Sequence, residues 1–333
     1  MKICVFGTGA IGGYLAAKLA ASNAQLTCIA RGKQLEAIRS HGLTLIENDR
    51  RQNLRVECTD RPDQVGQQDV VFVTLKSHMV PLAAVDIAEL LGPDTAVVTA
   101  YNGIPWWYFY GQRGNESTAL DSVDPGRRLW QHIGPERAIG CVVYPAARVI
   151  EPGVIEHQFG NRFALGEPNG TDSARLRALS EQLVAAGLEA PVSRSIRTGI
   201  WTKLVANASY NPVSVLTCSR LARMIDDIAV NRLLRLMMQE AIGVAAALGI
   251  TLPVSAAELL EATRPLGEHQ TSMLQDLKAG RSLELDPIVG AVQELGRLHA
   301  VPTPTLDTIL ALAKQKAVLA GCYSVAQIAP GVT

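Results

Sequence analysis

Residues 2–12 read KICVFGTGAIG, an apolar run that passes directly into Gly7-Thr8-Gly9-Ala10-Ile11-Gly12. The run Lys2–Phe6 has the length and composition of a buried strand, and Ile11–Ala21 has apolar residues at helical spacing. A second apolar run, Gln25–Ala30, completes a strand–helix–strand unit. In such a unit the glycines allow a tight turn and a close backbone approach to a pyrophosphate, which the helix N-terminus attracts. The stretch therefore predicts dinucleotide binding.

The rest of the first half repeats this alternation of strands and helices. Further strand-like runs are Val70–Leu75, Ala96–Thr99, Ile139–Val143 and Phe163–Leu165. The repetition predicts an α/β fold with a doubly wound parallel sheet, which is a Rossmann domain over residues 1–190. The segment 111–126 is polar and rich in glycine, which indicates an exposed loop.

The second half carries long helical patterns and almost no strand-like runs. The patterns are Ala174–Gly187, Ile200–Asn211, Ile225–Gly249, Pro287–His299 and Thr305–Ala320. Asp286 before Pro287 is a typical helix start, with the aspartate as the cap and the proline in the first turn. We therefore expect an all-helical domain over residues 191–333.

Composition excludes several classes of partner. The chain of 333 residues has 31 basic and 31 acidic side chains, so its net charge of zero gives no basic surface for nucleic acid or an anionic membrane. Its apolar runs are too short to span a membrane, and its N-terminus does not resemble a signal peptide, so we expect a cytoplasmic protein. The six cysteines form no C-x-x-C pair, which predicts buried thiols in a reducing compartment and no metal site.

The end of the second strand indicates which dinucleotide binds. Enzymes that use NAD usually place an acidic residue there to bond the ribose, whereas this chain has Arg31 and Lys33. An arginine can bond a 2′-phosphate through two N–H groups. The sequence predicts NADP(H), although two solvated surface cations are the alternative interpretation.

Two more polar positions follow predicted strands. Lys76 follows Val70–Leu75, and Asn102 with Gly103 follows the strand at Ala96–Thr99. Ligands of such sheets bind outside the carboxyl ends of the strands, so these residues are candidates for the same site. A surface lysine and an ordinary Asn-Gly turn are the alternatives.

The sharpest pattern of the helical half lies in residues 200–212, which read IWTKLVANASYNP. Lys203, Asn207 and Asn211 are four residues apart and form one polar stripe on a mostly apolar helix. Pro212 should end or kink this helix. A lysine held among amides can protonate an alkoxide and bind a carboxylate, which with a nicotinamide predicts hydride transfer to a ketone. From position alone, Ser272 and Glu284 receive no role.

Together these segments resemble the ketopantoate reductases (2-dehydropantoate 2-reductases) over nearly the whole chain. The resemblance rests on six motifs in order: Gly7–Gly12 with Arg31, Val73–Lys76, Asn102-Gly103, Ala146-Ala147-Arg148, Trp201–Pro212, and Ser272–Asp276 with Glu284. It implies a Rossmann domain joined to a helical domain like that of 6-phosphogluconate dehydrogenase, with the active site between them. It also implies NADPH-dependent reduction of 2-dehydropantoate to (R)-pantoate, a step of pantothenate biosynthesis.

The resemblance also implies roles for individual residues. Lys203 would be the general acid, and Asn207, Asn211 and Ser272 would hold the substrate. The cofactor would be bound by the glycine loop and by Arg31, Lys76, Asn102, the backbone near Ala147, and Glu284, which would reach the ribose.

The chain departs from the family pattern at two places. Where the family has an Asn-Gly-Glu-Leu-like turn with a substrate-binding asparagine, this chain has Thr217–Leu221. An aromatic insertion, Ile104–Tyr110, leads into a polar loop that ends at Trp130. The insertion is either satellite packing or a homodimer contact, or else a lid over the substrate.

Three functions therefore remain open on the sequence. The leading one is a ketopantoate reductase, the second is a related NADPH-dependent reductase of another 2-oxo acid, and the third is a non-catalytic NADP(H)-binding sensor. Lys203 argues against a sensor, because sensing a cofactor does not require a proton donor.

Overall fold

The structure is a computed structural model that describes residues 1–22, 24–112, 114–115 and 118–324. It divides into two compact units. The N-terminal unit consists of residues 1–119 and 126–197, and the helical unit consists of residues 120–125 and 198–333. The expected domain boundary at 190 stays a prediction, whereas the compact units divide between Arg197 and Thr198. Among the described residues, no helix is long and apolar enough to cross a membrane.

The main sheet of the N-terminal unit has, in the described residues, seven strands: β1 (Lys2–Phe6), β2 (Gln25–Ile29), β5 (Glu57–Thr59), β6 (Gln68–Val73), β7 (Leu91–Thr99), β8 (Ala138–Val143) and β11 (Phe163–Gly166). Their order across the sheet is β11-β8-β7-β6-β1-β2-β5. All neighbours are parallel except β11, which is antiparallel to β8 at one edge. This confirms the predicted Rossmann architecture and adds an antiparallel edge strand.

The helices of the N-terminal unit are α1 (Ala10–Ala21), α2 (Gly32–His41), α3 (Ala84–Ala88), α4 (Arg128–Ile133) and α5 (Ala174–Ala185), with 3₁₀ turns at Pro62–Gln64, Ser77–Ala83, Pro125–Arg127 and Pro135–Arg137. Helices α1, α2 and α5 contribute to an apolar core on one face of the main sheet. Alternate strand residues such as Ile3, Val5 and Phe72 belong to the same buried cluster as Leu15 of α1 and Leu179 of α5. Their burial follows from the period of two in each strand.

A second sheet in this unit was not predicted from the sequence. It has the order β4-β3-β10-β9, with β3 (Leu43–Glu47), β4 (Arg50–Leu54), β9 (Ala146–Glu151) and β10 (Val154–Phe159). The sheet packs against α1, and a Cβ at Gly13 of that helix would lie 2.6 Å from Ile155 Cγ1. Strand β4 reads RRQNL and is largely exposed, so it lacks the apolar pattern by which a strand is recognised.

The helical unit contains the remaining helices. Helix α6 (Ile196–Thr217) begins at the end of the N-terminal unit, and the others are α7 (Leu221–Asp226), α8 (Ile228–Ala247), α9 (Ala256–Thr263), α10 (Ser272–Lys278), α11 (Ala291–Leu298) and α12 (Pro304–Leu319), with a 3₁₀ turn at Arg264–Leu266. The predicted long helix Ile225–Gly249 is wrong at its start, because Asp227 accepts a hydrogen bond from Val230 N and begins a new helix there.

Helix α6 also corrects the expected effect of Pro212. The helix continues through the proline to Thr217, so an end at Pro212 is wrong, and a kink there stays a prediction. Burial compensates for the lost N–H bond, because Val213 and Val215 are both fully or almost fully buried. In addition, the Ser214 hydroxyl donates to the Asn211 carbonyl at 2.7 Å.

Asp286 is not a helix cap, contrary to the sequence-based expectation. A π-helical turn spans Asp286–Gly290 and leads into α11. The Asp286 carboxylate instead accepts from Lys314 Nζ at 2.7 Å and from the Tyr323 hydroxyl at 2.9 Å. The acid therefore ties this turn to α12 and to the residues that follow it.

The loop 111–126 is exposed only in part, and its second half corrects the prediction. Gly111 and Gly114 are exposed, whereas Leu120 and Val123 are 5% exposed. Segment 120–125 belongs to the helical unit, where Glu294 of α11 accepts from Asp121 N at 2.9 Å and from Ser122 N at 3.0 Å. Glu294 holds this segment from a distant part of the sequence, so the pattern of residues 111–126 does not indicate the contact.

Five cysteines are buried as expected, and Cys218 is the exception. It is exposed and adopts a positive φ of 53° directly after α6. Cys58 shows the ordinary case, since burial raises the pKa of its thiol to about 11. In the described part of the chain no three His, Cys, Asp or Glu side chains could hold a metal ion together, and the absence of a metal site stays a prediction.

Candidate active site

The glycine loop after β1 has the geometry of a phosphate-binding turn. Gly7 has a φ of +105°, and a Cβ at Gly12 would lie 2.0 Å from the Gly7 carbonyl oxygen, so neither position accepts a side chain. A Cβ at Gly9, in contrast, would meet no atom within 4 Å. Gly9 is the N-cap residue of α1, and it has no side chain that could bond the free N–H groups of the first helical turn. The loop therefore presents bare backbone to open space at a helix N-terminus, which suits a pyrophosphate.

Thr8 provides an independent sign that this loop holds a polar ligand. Its side chain is buried, and its hydroxyl has no hydrogen-bond partner among the described residues. A buried hydroxyl without a partner is unfavourable by about 1–3 kcal/mol, so such groups usually bind a ligand or water. A phosphate oxygen would accept a hydrogen bond from the Thr8 hydroxyl.

Two side chains that the sequence did not single out hold this loop from either side. The Thr74 hydroxyl donates to the Gly7 carbonyl at 2.6 Å. The Gln34 amide donates to the Thr8 carbonyl at 2.8 Å and accepts from Gly153 N at 3.0 Å. Thr74 lies within the recognised Val73–Lys76 motif, but the contact of Gln34 depends on tertiary structure and has no local signal.

The predicted cofactor residues follow the ends of four neighbouring strands. The last residues of these strands are paired in register, Phe6 with Ile29 and Val73, and Val73 with Thr99. Gly7, Arg31, Lys76 and Asn102 follow these ends and so lie along one edge of the sheet. The topology thus gathers residues that are far apart in sequence, at the edge where ligands of such sheets bind.

Arg31 has a partner that the sequence did not reveal. Its Nη2 lies 2.5 Å from Oδ2 of Asp86 on α3, and both side chains are well exposed. Lys33, in the first turn of α2, is also exposed. The expected pair of cations is therefore present at the end of β2, together with one carboxylate.

Ala147 lies in the second sheet rather than at an end of the main sheet. It belongs to β9, opposite His157 of β10, and it packs against the apolar core. The structure places β9 beside α1, the helix whose N-terminus follows the glycine loop. A role of its backbone in cofactor binding stays a prediction.

In the helical unit, α6 carries the predicted polar stripe. Lys203 and Asn207 are half-buried, and Asn211 is 3% exposed. The neighbouring Trp201, Leu204 and Ala208 are buried. The Asn211 Nδ2 atom has no hydrogen-bond partner in the described residues. A buried amide with an unused donor, on the same helix as a lysine, can bind a carboxylate or a carbonyl oxygen.

A chain of buried hydroxyls connects α6 to Thr271, the residue before Ser272, which is the exposed first residue of α10. Leu274 N donates to Thr271 Oγ1 at 3.1 Å, and Thr271 Oγ1 lies 2.6 Å from Ser214 Oγ. Because the Ser214 hydroxyl donates to the Asn211 carbonyl, the Thr271 hydroxyl must donate to Ser214. This chain fixes the start of α10 relative to the polar stripe of α6.

Glu284 is buried in the helical unit, at 8% exposure, between the buried side chains Leu283 and Leu285. Leu283 N donates to the Cys322 carbonyl at 3.0 Å, which holds this segment next to the end of α12. The contact of Glu284 with the cofactor ribose stays a prediction.

The turn after α6, residues 217–221, departs from the family pattern described above. Its Arg220 forms an exposed ion pair with Glu268 at 2.8 Å.

The aromatic insertion is part of the N-terminal unit's interior. Trp106 is 7% exposed and Trp107 is fully buried, with its indole N–H donating to Thr99 Oγ1 at 3.1 Å. Arg197 donates to the carbonyls of Tyr108, at 2.9 Å, and Tyr110, at 2.7 Å, and to that of Pro168. Burial lowers the pKa of Arg197. These contacts favour the packing interpretation over a lid.

A Rossmann unit with a bare phosphate loop, followed by a helix that carries a lysine and two asparagines, defines a nicotinamide-dependent oxidoreductase. Sequence comparison specifies the family. The ketopantoate reductase PanE/ApbA family matches residues 3–170, and its C-terminal domain matches residues 195–317. The chain belongs to the ketopantoate reductase family, whose members use NADPH.

Individual relatives agree with this family. A 2-dehydropantoate 2-reductase of Mesorhizobium japonicum is 51% identical over 97% of this chain and 100% of its own length. A solved structure from Ralstonia solanacearum, described as a ketopantoate reductase, is 40% identical with a TM-score of 0.92 and covers 97% of this chain and 99% of its own. A D-mandelate dehydrogenase bound to NADH and anilino(oxo)acetate shares the fold, with 22% identity, a TM-score of 0.83 and coverage of 97% of this chain and 100% of its own.

Proposed function

We propose that this protein reduces 2-dehydropantoate to (R)-pantoate with NADPH. The observation that carries the proposal is the polar stripe of α6, in which Lys203 and Asn207 are half-buried and Asn211 is buried with an unused amide donor. Such a stripe suits a small polar substrate with a carboxylate and a ketone. The 2-dehydropantoate 2-reductase at 51% identity supports the same substrate.

The cofactor fits the residues of the N-terminal unit. The glycine loop and the Thr8 hydroxyl would hold the pyrophosphate, Arg31 the 2′-phosphate, and Lys76 and Asn102 further groups of the cofactor. When bound, NADPH supplies the hydride that reduces the substrate carbonyl. Ala147 and Glu284 are the remaining proposed contacts.

Reduction of a ketone consumes one hydride and one proton. Lys203 would provide the proton, because its ammonium can donate to the carbonyl oxygen as negative charge develops there. Asn207 and Asn211 would orient the substrate through their amides, and Ser272 through its hydroxyl. Lys203 would also pair with the substrate carboxylate, so it would act in both binding and catalysis.

Further parts of the proposal concern the setting in which the protein works. We expect a cytoplasmic enzyme without a nucleic-acid partner, in keeping with its net charge of zero. A homodimer stays a prediction that light scattering of the purified protein can check. Burial of Trp106–Phe109 inside the N-terminal unit removes the aromatic insertion as an argument for that dimer.

The experiment that tests the substrate compares 2-dehydropantoate with its analogue that lacks the hydroxyl group. A site that hydrogen-bonds the hydroxyl rejects the analogue strongly, so we expect kcat/KM to fall by about 100-fold or more. The assay follows NADPH oxidation and identifies the product chromatographically. Equal and slow turnover of both acids would indicate a reductase of another 2-oxo acid, and NADPH binding without turnover of any 2-oxo acid would indicate a sensor.

A further inference from the structure

The ion pair between Arg31 and Asp86 lies at the predicted 2′-phosphate site. Arg31 follows β2, Asp86 lies on α3, and they are 55 residues apart in sequence. Their side chains are 67% and 40% exposed. Both groups are therefore accessible to a ligand, and the pair is not a buried structural contact.

A carboxylate and a phosphate are alternative partners for one guanidinium. Arginine bonds both through the same N–H groups, and here Asp86 Oδ2 already occupies Nη2 at 2.5 Å. A phosphate that approaches Arg31 must displace this carboxylate or accept a negative neighbour. The unphosphorylated ribose of NADH meets no such competition.

We propose that Asp86 is a specificity-determining residue that competes with the 2′-phosphate of NADPH for Arg31 and so reduces the preference for NADPH over NADH. The inference rests on the proposed binding of NADPH at this edge of the sheet. An acid near the ribose usually belongs to the strand-end sequence itself, whereas here it comes from a helix that follows β6. Inspection of residues 28–33 alone therefore overestimates the preference for NADPH.

The expected size of the effect follows from the exposure of the pair. Exposed ion pairs contribute little in water, so release of Arg31 should tighten NADPH binding by about two- to fivefold. Salt screens exposed charges, and the gain should shrink as the ionic strength rises from about 0.01 M to 0.5 M.

The test measures dissociation constants by calorimetry for the Asp86→Asn variant of the full chain. The probes are NADPH, NADH and adenosine 2′,5′-bisphosphate, which carries the 2′-phosphate without a nicotinamide. We expect NADPH and the bisphosphate to bind about two- to fivefold more tightly, and NADH within error of the unsubstituted protein. Asp172→Asn is the matched control, because Asp172 forms another exposed ion pair, with Arg177 at 3.4 Å, near α5.

The same substitution in a protein that lacks Arg31 shows whether Asp86 acts through Arg31. In an Arg31→Met protein, Asp86→Asn should change NADPH binding no more than Asp172→Asn does. Unchanged or weaker binding of the bisphosphate in Asp86→Asn would overturn the proposal, and so would a gain that persists without Arg31. If the unsubstituted protein binds NADH as tightly as NADPH, and Arg31→Met does not weaken the binding of either, the cofactor assignment fails instead.

Discussion

At the scale of single residues, two buried polar atoms carry most of the functional argument. The Thr8 hydroxyl lies in the glycine loop, and the Asn211 Nδ2 atom lies on the helix that carries Lys203. Neither atom has a hydrogen-bond partner in the described residues. Leaving such an atom unpaired is unfavourable by about 1–3 kcal/mol. These unpaired atoms therefore lower the free energy of unfolding. Hydrogen bonds to a bound cofactor and substrate would restore it.

The hydroxyl chain behind Ser272 leads to a prediction about Thr271, a positioning residue. Thr271→Val keeps the shape of the side chain but removes its bonds to Ser214 and Leu274 N, so the start of α10, where Ser272 lies, loses this support. We expect KM for the 2-oxo acid to rise about tenfold, because small displacements of a binding group are costly, while the NADPH dissociation constant stays unchanged. Steady-state kinetics and calorimetry check both values.

The conservative variant separates positioning from a loss of stability. Thr271→Ser keeps the hydroxyl and should restore the KM of the unsubstituted protein. If Thr271→Val lowers the thermal midpoint but leaves KM unchanged, the hydroxyl chain serves the fold only.

At the scale of elements, the strongest prediction concerns the aromatic insertion. Arg197 donates to three backbone carbonyls, and its guanidinium lies 5.7 Å from the Trp107 ring centre. Arg197→Met leaves those carbonyls unpaired, so we expect the unfolding free energy to fall by about 2–4 kcal/mol. Urea unfolding followed by tryptophan fluorescence measures the change.

The control for this variant is Arg194→Met, because Arg194 is exposed and lies just before the same helix. Exposed substitutions of this kind usually change stability by no more than about 0.5 kcal/mol. An equal effect of the two substitutions would show that Arg197 does not hold the insertion.

Elements with a strong periodic pattern were predictable, and those built by tertiary contacts were not. Apolar runs located β1, β2, β6, β7 and β8, and helical spacing located α1, α5 and α12. The exposed strand β4 lacks such a pattern, and the end expected at Pro212 was overridden by burial of the helix around it. Local propensity decides an element only where packing does not.

At the scale of the whole molecule, the topology explains how much of the site the sequence could show. The location of Lys76 and Asn102 at one edge of the sheet was predictable, because parallel strands place their carboxyl ends together whatever the loops between them contain. Asp86, Gln34 and Ser214 were not, because each reaches its partner through the fold and carries no motif. Each of these unpredicted residues contacts a residue of a recognised motif, namely Arg31, Thr8 and Asn211, respectively.

Lys203 is the proposed proton donor of the NADPH-dependent reduction, and a comparison of two lysine variants tests this role. The measurement is kcat for 2-dehydropantoate with NADPH in the unsubstituted protein, Lys203→Ala, and Lys316→Ala as a control lysine of the same unit. Loss of a general acid lowers the rate by about 10²–10⁴-fold, so we predict that decrease for Lys203→Ala alone, with an unchanged NADPH dissociation constant. Turnover by Lys203→Ala within about tenfold of the unsubstituted protein would exclude Lys203 as the general acid.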